Sequence, residues 1–337
     1  MIPAIFGLSG PQLTADERAF FRDADPAGYI LFGRNCLDSG QLRALTDDLR
    51  SIHGREHLLV SIDQEGGRVA RLRPPGWSPY PAGQAFDALY KIAPASAIEA
   101  ARANAFAMGL ELSAMGITVD YHPPLDLRVP GAHDVIGDRS LGSDPMQVAA
   151  LGRAILEGLA AGGVTGCIKH MPGHGRTDVD THKAMPTVTA GADELEADLA
   201  PFKTLNRALI GMTGHLLFTA WDAENPATLS QTVIRDVIRG SIGFGGLLLT
   251  DDIDMEALGG TIPERSARAH GAGCDIVLNC WAKMDDMVGI CAVLPAMSEA
   301  TAARLDRALA GTRVAPAIAP EHADLLAKRD ALLALAA

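Results

Sequence analysis

Short apolar runs recur along the chain, and each gives way to a polar loop and then to a helix-like stretch. There are eight of them: Ile2–Gly7, Gly28–Gly33, His57–Ile62, Ile117–Tyr121, Gly163–Ile168, Leu209–Thr213, Gly246–Thr250 and Asp275–Leu278. They are continuously apolar rather than alternating, as in strands covered on both faces. Between them, helical spacing predicts helices over 14–23, 39–52, 94–115, 145–161, 193–209, 232–239 and 262–271, and two more helical stretches close the chain. Thr14 with Glu17 three residues on predicts a capping box at the first of these. Residues 74–83, rich in Pro and Gly, read as a long surface loop. Eight strands alternating with helices predict an α/β fold, a (β/α)8 barrel of the TIM type. A doubly wound open sheet is the alternative. It is disfavoured because the Gly66-Gly67 loop carries Asp63 and Glu65 where a dinucleotide pyrophosphate would need amides. No repeat, low-complexity tract or linker divides the sequence, so one catalytic domain is expected over 1–337.

Composition narrows the partners. Apolar residues make up 48% and charged ones 21%, the balance of a globular protein with a large core. A net charge of −12 without a basic cluster argues against nucleic acid and anionic membranes as partners. No apolar run approaches the ~20 residues of a membrane span. The first residues lack the basic-then-apolar order of a signal peptide, so the cytoplasm is the expected compartment. The five cysteines are odd in number and form no Cys-x-x-Cys pair; Cys167 and Cys274 are expected as reduced core residues.

The polar clusters fall directly after strands: Asp63, Asp126, Lys169 with His170, His215, and Asp251. That is the C-terminal face of a barrel, where barrel enzymes build their sites. The densest cluster is the loop Lys169–His182, with three histidines, two aspartates, a lysine and an arginine in fourteen residues. Asp180 and His182, two apart, suit a carboxylate-oriented imidazole acting as acid and then base. The plain alternative is a solvated loop with an Asx turn at Asp180. Asp251 at the end of the seventh strand suits a nucleophile. It equally suits a helix N-cap, as do Asp252 and Asp254, and spacing does not choose among the three. Lys169 and His170 suit a polar ligand, and a lysine there also forms Schiff bases in other barrels. His170, His174, His182 and His215 with the aspartates raise a metal-dependent hydrolase as a competing class. Against it, there is no His-x-His after the first strand and no His-Glu-x-x-His, so neither metal nor cofactor is expected. Arg71, Arg139 and Arg176 are candidate clamps for carboxylate or hydroxyl groups. Trp77 and Trp221 are candidate sugar platforms, with core packing as the commoner role.

Four motifs together resemble glycoside hydrolase family 3, in particular its bacterial β-N-acetylglucosaminidases. They are Asp63-Gln64-Glu65-Gly66-Gly67-Arg68-Val69-x-Arg71, Gly137-Asp138-Arg139-Ser140, the Lys169-His170-Met171-Pro172-Gly173-His174-Gly175 loop with Asp180-x-His182, and Thr250-Asp251-Asp252-Ile253-Asp254-Met255. They occur in family order over roughly residues 55 to 280. Met171 stands where Phe or Thr is commoner, and Asp254 where Ser is frequent; neither position carries chemistry. The resemblance implies a retaining mechanism with Asp251 as nucleophile and His182 as acid/base, partnered by Asp180 on a mobile loop. This departs from the usual carboxylate pair. It further implies that Asp63, Arg71, Arg139, Lys169 and His170 hold the sugar hydroxyls, and that His174 is structural. The implied substrate is a muropeptide, with or without peptide, whose terminal GlcNAc is β-1,4-linked to 1,6-anhydro-MurNAc. The setting would be peptidoglycan recycling by a monomer. A β-glucosidase or β-xylosidase of the same family and a catalytically dead sugar sensor are the other readings.

Overall fold

The structure, a computed structural model, describes residues 1–55, 57–129, 131, 135–177 and 185–336. Eight parallel strands close into a barrel. In chain order they are β1 Ile2–Gly7, β2 Pro26–Leu31, β3 Leu59–Ile62, β4 Val119–Asp120, β5 Thr165–Met171, β6 Ile210–Thr213, β7 Leu247–Asp252 and β8 Ile276–Asn279. Each pairs with its sequence neighbours, and β8 closes on β1 through Ala4 opposite Val277. The (β/α)8 expectation holds. A separate two-stranded sheet, Thr187–Val188 with Leu217–Phe218, lies outside the barrel.

The continuous apolar runs have a direct explanation. Successive side chains on a strand alternate between faces, and both faces are covered. Ile5, Ile30, Leu59, Val119, Cys167, Ile210, Leu247, Leu249 and Ile276 fill the barrel interior. Their neighbours Phe6, Leu31, Val60, Ile168, Leu248 and Val277 pack outward against the helices. Helix Glu299–Leu309 closes the bottom, adding Leu305, Ala308 and Leu309 to the interior cluster. There the Asp275 carboxylate accepts from Arg239 Nη2 and Arg304 Nη1, both at 2.7 Å. With that end packed by the helix, the cavity described below sits at the strands' C-terminal ends.

Among the described residues, three α-helices rather than two follow β8: Met284–Val293, Glu299–Leu309 and Glu321–Leu333. A helix at Gly83–Tyr90 follows directly on the Pro/Gly-rich stretch, in which Tyr80 is buried. Its first residue is a glycine, and a Cβ there would lie 2.3 Å from the Arg139 carbonyl oxygen. The segment Val233–Ser241 is wound as a π-helix, a wide form often found near functional sites. Among the described residues, no helix is long and apolar enough to cross a membrane.

Candidate active site

At the open end lies a cavity of about 420 Å³, walled among others by Phe32, Arg34, Asp63, Arg71, Arg139, Lys169, His170, His174, Asp251, Asp252, Met255 and Trp281. Its floor is a lattice of alternating charges. Lys169 sits near the end of β5 and is almost fully buried. It donates to Asp63 Oδ1 at 3.0 Å and lies 2.7 Å from Glu65 Oε1. Arg71 Nη2 holds the other Asp63 oxygen at 3.0 Å. Arg139 grips Glu65 with two bonds, Nε to Oε2 at 2.8 Å and Nη2 to Oε1 at 2.7 Å. Burial raises the Asp63 and Glu65 carboxyls, but the cations outweigh it and hold both below the ordinary range. Burial likewise disfavours the Lys169 ammonium, and the two carboxylates more than reverse that. A Schiff-base lysine needs the neutral amine, so this pairing speaks against that role.

The register of β5 against β6 slips between Ile168 and Met171, so the sheet is irregular where Lys169 and His170 leave it. The peptide bonds Lys169–His170 and Met171–Pro172 are cis. His170 Nδ1 bonds the buried Asp126 carboxylate at 2.7 Å, leaving Nε2 for the cavity. Asp126 also accepts from the His170 and His174 backbone N–H groups, at 3.2 and 2.7 Å. One carboxylate thus fixes both loop histidines. His174 borders the cavity, and burial drives its pKa down to about 4. His215 has a different task. Its Nε2 lies 2.8 Å from the Asp252 carbonyl oxygen, which only accepts, so Nε2 carries the proton and Nδ1 accepts from Thr228 Oγ1 at 2.8 Å. Burial lowers its pKa, keeping this neutral tautomer.

The three aspartates that spacing left equivalent differ sharply here. None caps a helix: the next one, Ile262–Ala272, is capped by Thr261. Asp251 is the penultimate residue of β7 and faces the cavity, its Oδ1 accepting from the Asp252 backbone N–H at 2.8 Å. Burial pushes its carboxyl up, but His170, His215, that N–H and Lys169 bring it below its ordinary value, so it is ionised. Asp252 goes the other way. Burial, then the charges of Asp254 and Asp251, lift its carboxyl to about 8. Asp254 is a strut: its Oδ2 accepts from Asn279 Nδ2 at 2.8 Å, Cys280 N at 2.9 Å and Trp281 N at 3.2 Å.

Asp63, Arg71, Arg139, Lys169, His170 and Asp251 therefore converge on one cavity. Asp180 and His182 lie outside the described residues. The root of their loop is held: Gly175 abuts the Leu127 carbonyl, and Arg176 Nε bonds Asp198 Oδ2 at 2.6 Å. Arg176 is spent on that anchor rather than on the cavity. Trp77 and Trp221 pack against the core and do not line the cavity. Among the described residues, no three His, Cys, Asp or Glu side chains gather as metal ligands. The sequence places Asp126 at a strand end without giving it a role, and gives Glu65 no part in the site. Both were visible as acids directly after strands, but their partners Arg139 and His170 lie 74 and 44 residues away.

The family model for the glycosyl hydrolase family 3 N-terminal domain matches residues 6–315. The chain belongs to glycoside hydrolase family 3. Proteins named β-hexosaminidase are among its relatives in that family. The one from Aromatoleum aromaticum is 38% identical over 284 residues, 82% of this chain and 79% of the relative. The one from Tolumonas auensis is 36% identical over 315 residues, 92% and 90% of the two chains. Among solved structures, NagZ from Neisseria gonorrhoeae in complex with N-trifluoroacetyl-D-glucosamine superposes with a TM-score of 0.88. It is 32% identical, over 99% of this chain and 98% of that one. A family 3 β-N-acetylglucosaminidase from Paenibacillus gives a TM-score of 0.87 at 30% identity, over 98% of this chain and 67% of that one. This chain is thus a glycoside hydrolase of family 3, similar to proteins named β-hexosaminidase.

Proposed function

We propose that this chain is a retaining exo-β-N-acetylglucosaminidase acting through Asp251. One observation carries the nucleophile. Among the described residues, Asp251 is the ionised carboxylate of the cavity that no Lys or Arg holds in an ion pair. Asp63 and Glu65 are locked by cations, Asp252 holds its proton to about pH 8, and Asp254 is occupied by three N–H groups. A free, ionised oxygen at a strand end is what nucleophilic attack needs. In the first step Asp251 attacks the anomeric carbon as the glycosidic bond breaks, and the leaving oxygen takes a proton from His182, oriented by Asp180. In the second, His182 takes a proton from water, the water oxygen bonds the anomeric carbon as its bond to Asp251 breaks, and the sugar leaves with the Asp251 carboxylate regenerated. Asp63, Arg71, Arg139, Lys169 and His170 hold the hydroxyls. Ion pairs fix these groups in advance, and such preorganisation favours the transition state. The GlcNAc specificity rests on the relatives' names and the amino-sugar complex of NagZ.

The substrate in this reading is GlcNAc β-1,4-linked to 1,6-anhydro-MurNAc, with or without its peptide. It is cleaved in cytoplasmic peptidoglycan recycling by a monomer whose residues 1–337 form one catalytic unit. Trapping with a 5-fluoro GlcNAc donor, followed by peptide mass spectrometry, tests the nucleophile: the label belongs on Asp251. A label on Asp252 or Asp254 overturns the assignment. Turnover of an aryl β-glucoside equal to that of the aryl β-GlcNAc overturns the specificity. His182→Ala is expected to slow turnover while sugar binding persists.

A further inference from the structure

Trp281 is 62% exposed, yet it forms part of the wall of the cavity that holds Asp251. A single exposed apolar side chain is ordinary. What lies beneath this one is not. Asp254 accepts from the backbone N–H of both Cys280 and Trp281, and Arg34 Nη2 donates to the Cys280 carbonyl. The next residue, Ala282, has φ of 55°, in the left-handed region that residues bearing a Cβ seldom adopt. The chain therefore turns sharply just past the ring, on a backbone clamped just before it. Lys283 Nζ stands 6.0 Å from the ring centroid, so a cation flanks the indole as well. The polar lattice of Asp63, Arg71, Arg139 and Lys169 supplies the hydrogen bonds of the cavity. Trp281 and Met255 supply an apolar wall at its exposed margin.

We propose that Trp281 is the platform on which the ring of the leaving group stacks, making it a specificity-determining residue for saccharide over small leaving groups. The inference rests on the glycosidase reading above. In that reading the terminal sugar occupies the buried, hydrogen-bonding part of the cavity, and the next ring must pass its exposed rim. A pyranose offers an apolar C–H face, and an exposed indole is the side chain best suited to cover it.

The test compares two donors that share the same terminal sugar. N,N′-diacetylchitobiose has a pyranose leaving group that reaches the rim; GlcNAc β-fluoride has one too small to do so. Trp281→Ala is expected to lower kcat/KM for the disaccharide about tenfold and for the fluoride less than twofold. Trp281→Phe should restore most of the disaccharide rate. Equal losses on both donors, or no loss on the disaccharide, overturn the platform. Trp281→Gln serves if the alanine variant does not fold. Wild-type hydrolysis of the fluoride separately tests the hexosaminidase reading. If the wild type cleaves neither donor, that reading fails, and the platform is judged by titrating diacetylchitobiose against indole fluorescence. Quenching in the wild type that disappears in Trp281→Phe supports it, and no quenching in the wild type overturns it.

Discussion

Replacing Glu65 by Gln removes the one group that ties Arg139 and Lys169 together while keeping its shape. The Glu65 side chain is 4% exposed and Lys169 3%, so little solvent screens the loss. Breaking a buried pair by neutralising one partner typically costs about 3–5 kcal/mol. Gln keeps one acceptor oxygen, and Lys169 keeps Asp63 at 3.0 Å, so about 2–4 kcal/mol is expected here. At roughly 2 cal/mol/K per residue, a chain this long unfolds with an entropy near 0.7 kcal/mol/K, and the melting temperature should fall by about 3–6 °C. The pH dependence has a definite sign. The folded Glu65 carboxyl lies below its ordinary value, so its stabilisation is present above about pH 4.3 and is lost as pH falls through the folded value. Urea unfolding of both proteins at pH 7 and at pH 3.5 should show the full gap at the first and a smaller one at the second. Activity should fall as well, by about 10–100-fold in kcat/KM, because Arg139 and Lys169 remain in the cavity without a fixed orientation. A gap under about 1 kcal/mol at pH 7, or one that widens at pH 3.5, would refute the lattice as the support of the site.

Other perturbations follow from the same geometry. Asp252 holds its proton to about pH 8, so the wild type should lose stability as pH rises from about 4 to about 8. Asp252→Asn should flatten that slope while retaining most neutral-pH turnover; parallel thermal melts at pH 5 and pH 8.5 decide, and identical slopes count against it. Gly175→Ala puts a Cβ 2.1 Å from the Leu127 carbonyl oxygen, displacing the root of the loop that carries Asp180 and His182. Its kcat should drop at least about tenfold with KM changed less, and an unchanged kcat contradicts the loop's role. Gly83→Ala crowds the Arg139 carbonyl at 2.3 Å and should raise KM more than it lowers kcat in steady-state assays.

The barrel was legible because its signal is local. Runs such as Ile2–Gly7 are buried on both faces whatever lies elsewhere, and that strand was placed to the residue. Strand ends were less legible where burial depends on distant partners. β5 runs on through Lys169, His170 and Met171, whereas the apolar pattern ends at Ile168. Lysine can sit in a buried strand there only because Asp63 and Glu65, more than a hundred residues earlier, neutralise it. β7 likewise extends to Asp252, past the apolar limit at Thr250. The helix Gly83–Tyr90 escaped notice because Ala82 in front of it offers no capping side chain, and its Gly start reads as loop.

The sequence picks out Asp63, Arg71, Arg139, Lys169, His170 and Asp251, which the structure gathers at one cavity, but not their charge states. Asp251, Asp252 and Asp254 are chemically identical in sequence and within four positions of one another. What separates them is which N–H groups and charges each oxygen meets, and those come from β5, β6 and β8. Asp254 is occupied because Asn279, Cys280 and Trp281 turn their N–H groups onto it. Asp252 is kept protonated because it is buried between two other carboxylates. That leaves Asp251, with His170 and His215 nearby rather than a bound cation, as the ionised carboxylate whose second oxygen is free. The same strut explains why Trp281 gave no signal in the sequence. An indole after an apolar strand reads as core, and only the Asp254 clamp with the left-handed Ala282 turns it out to the rim. Asp254 then links two parts of the cavity wall. Its charge helps keep Asp252 protonated next to Asp251, and its oxygen holds the Trp281 backbone. A change at Asp254 should therefore disturb both the residue beside the proposed nucleophile and the proposed leaving-group platform, although Asp254 itself need touch neither sugar.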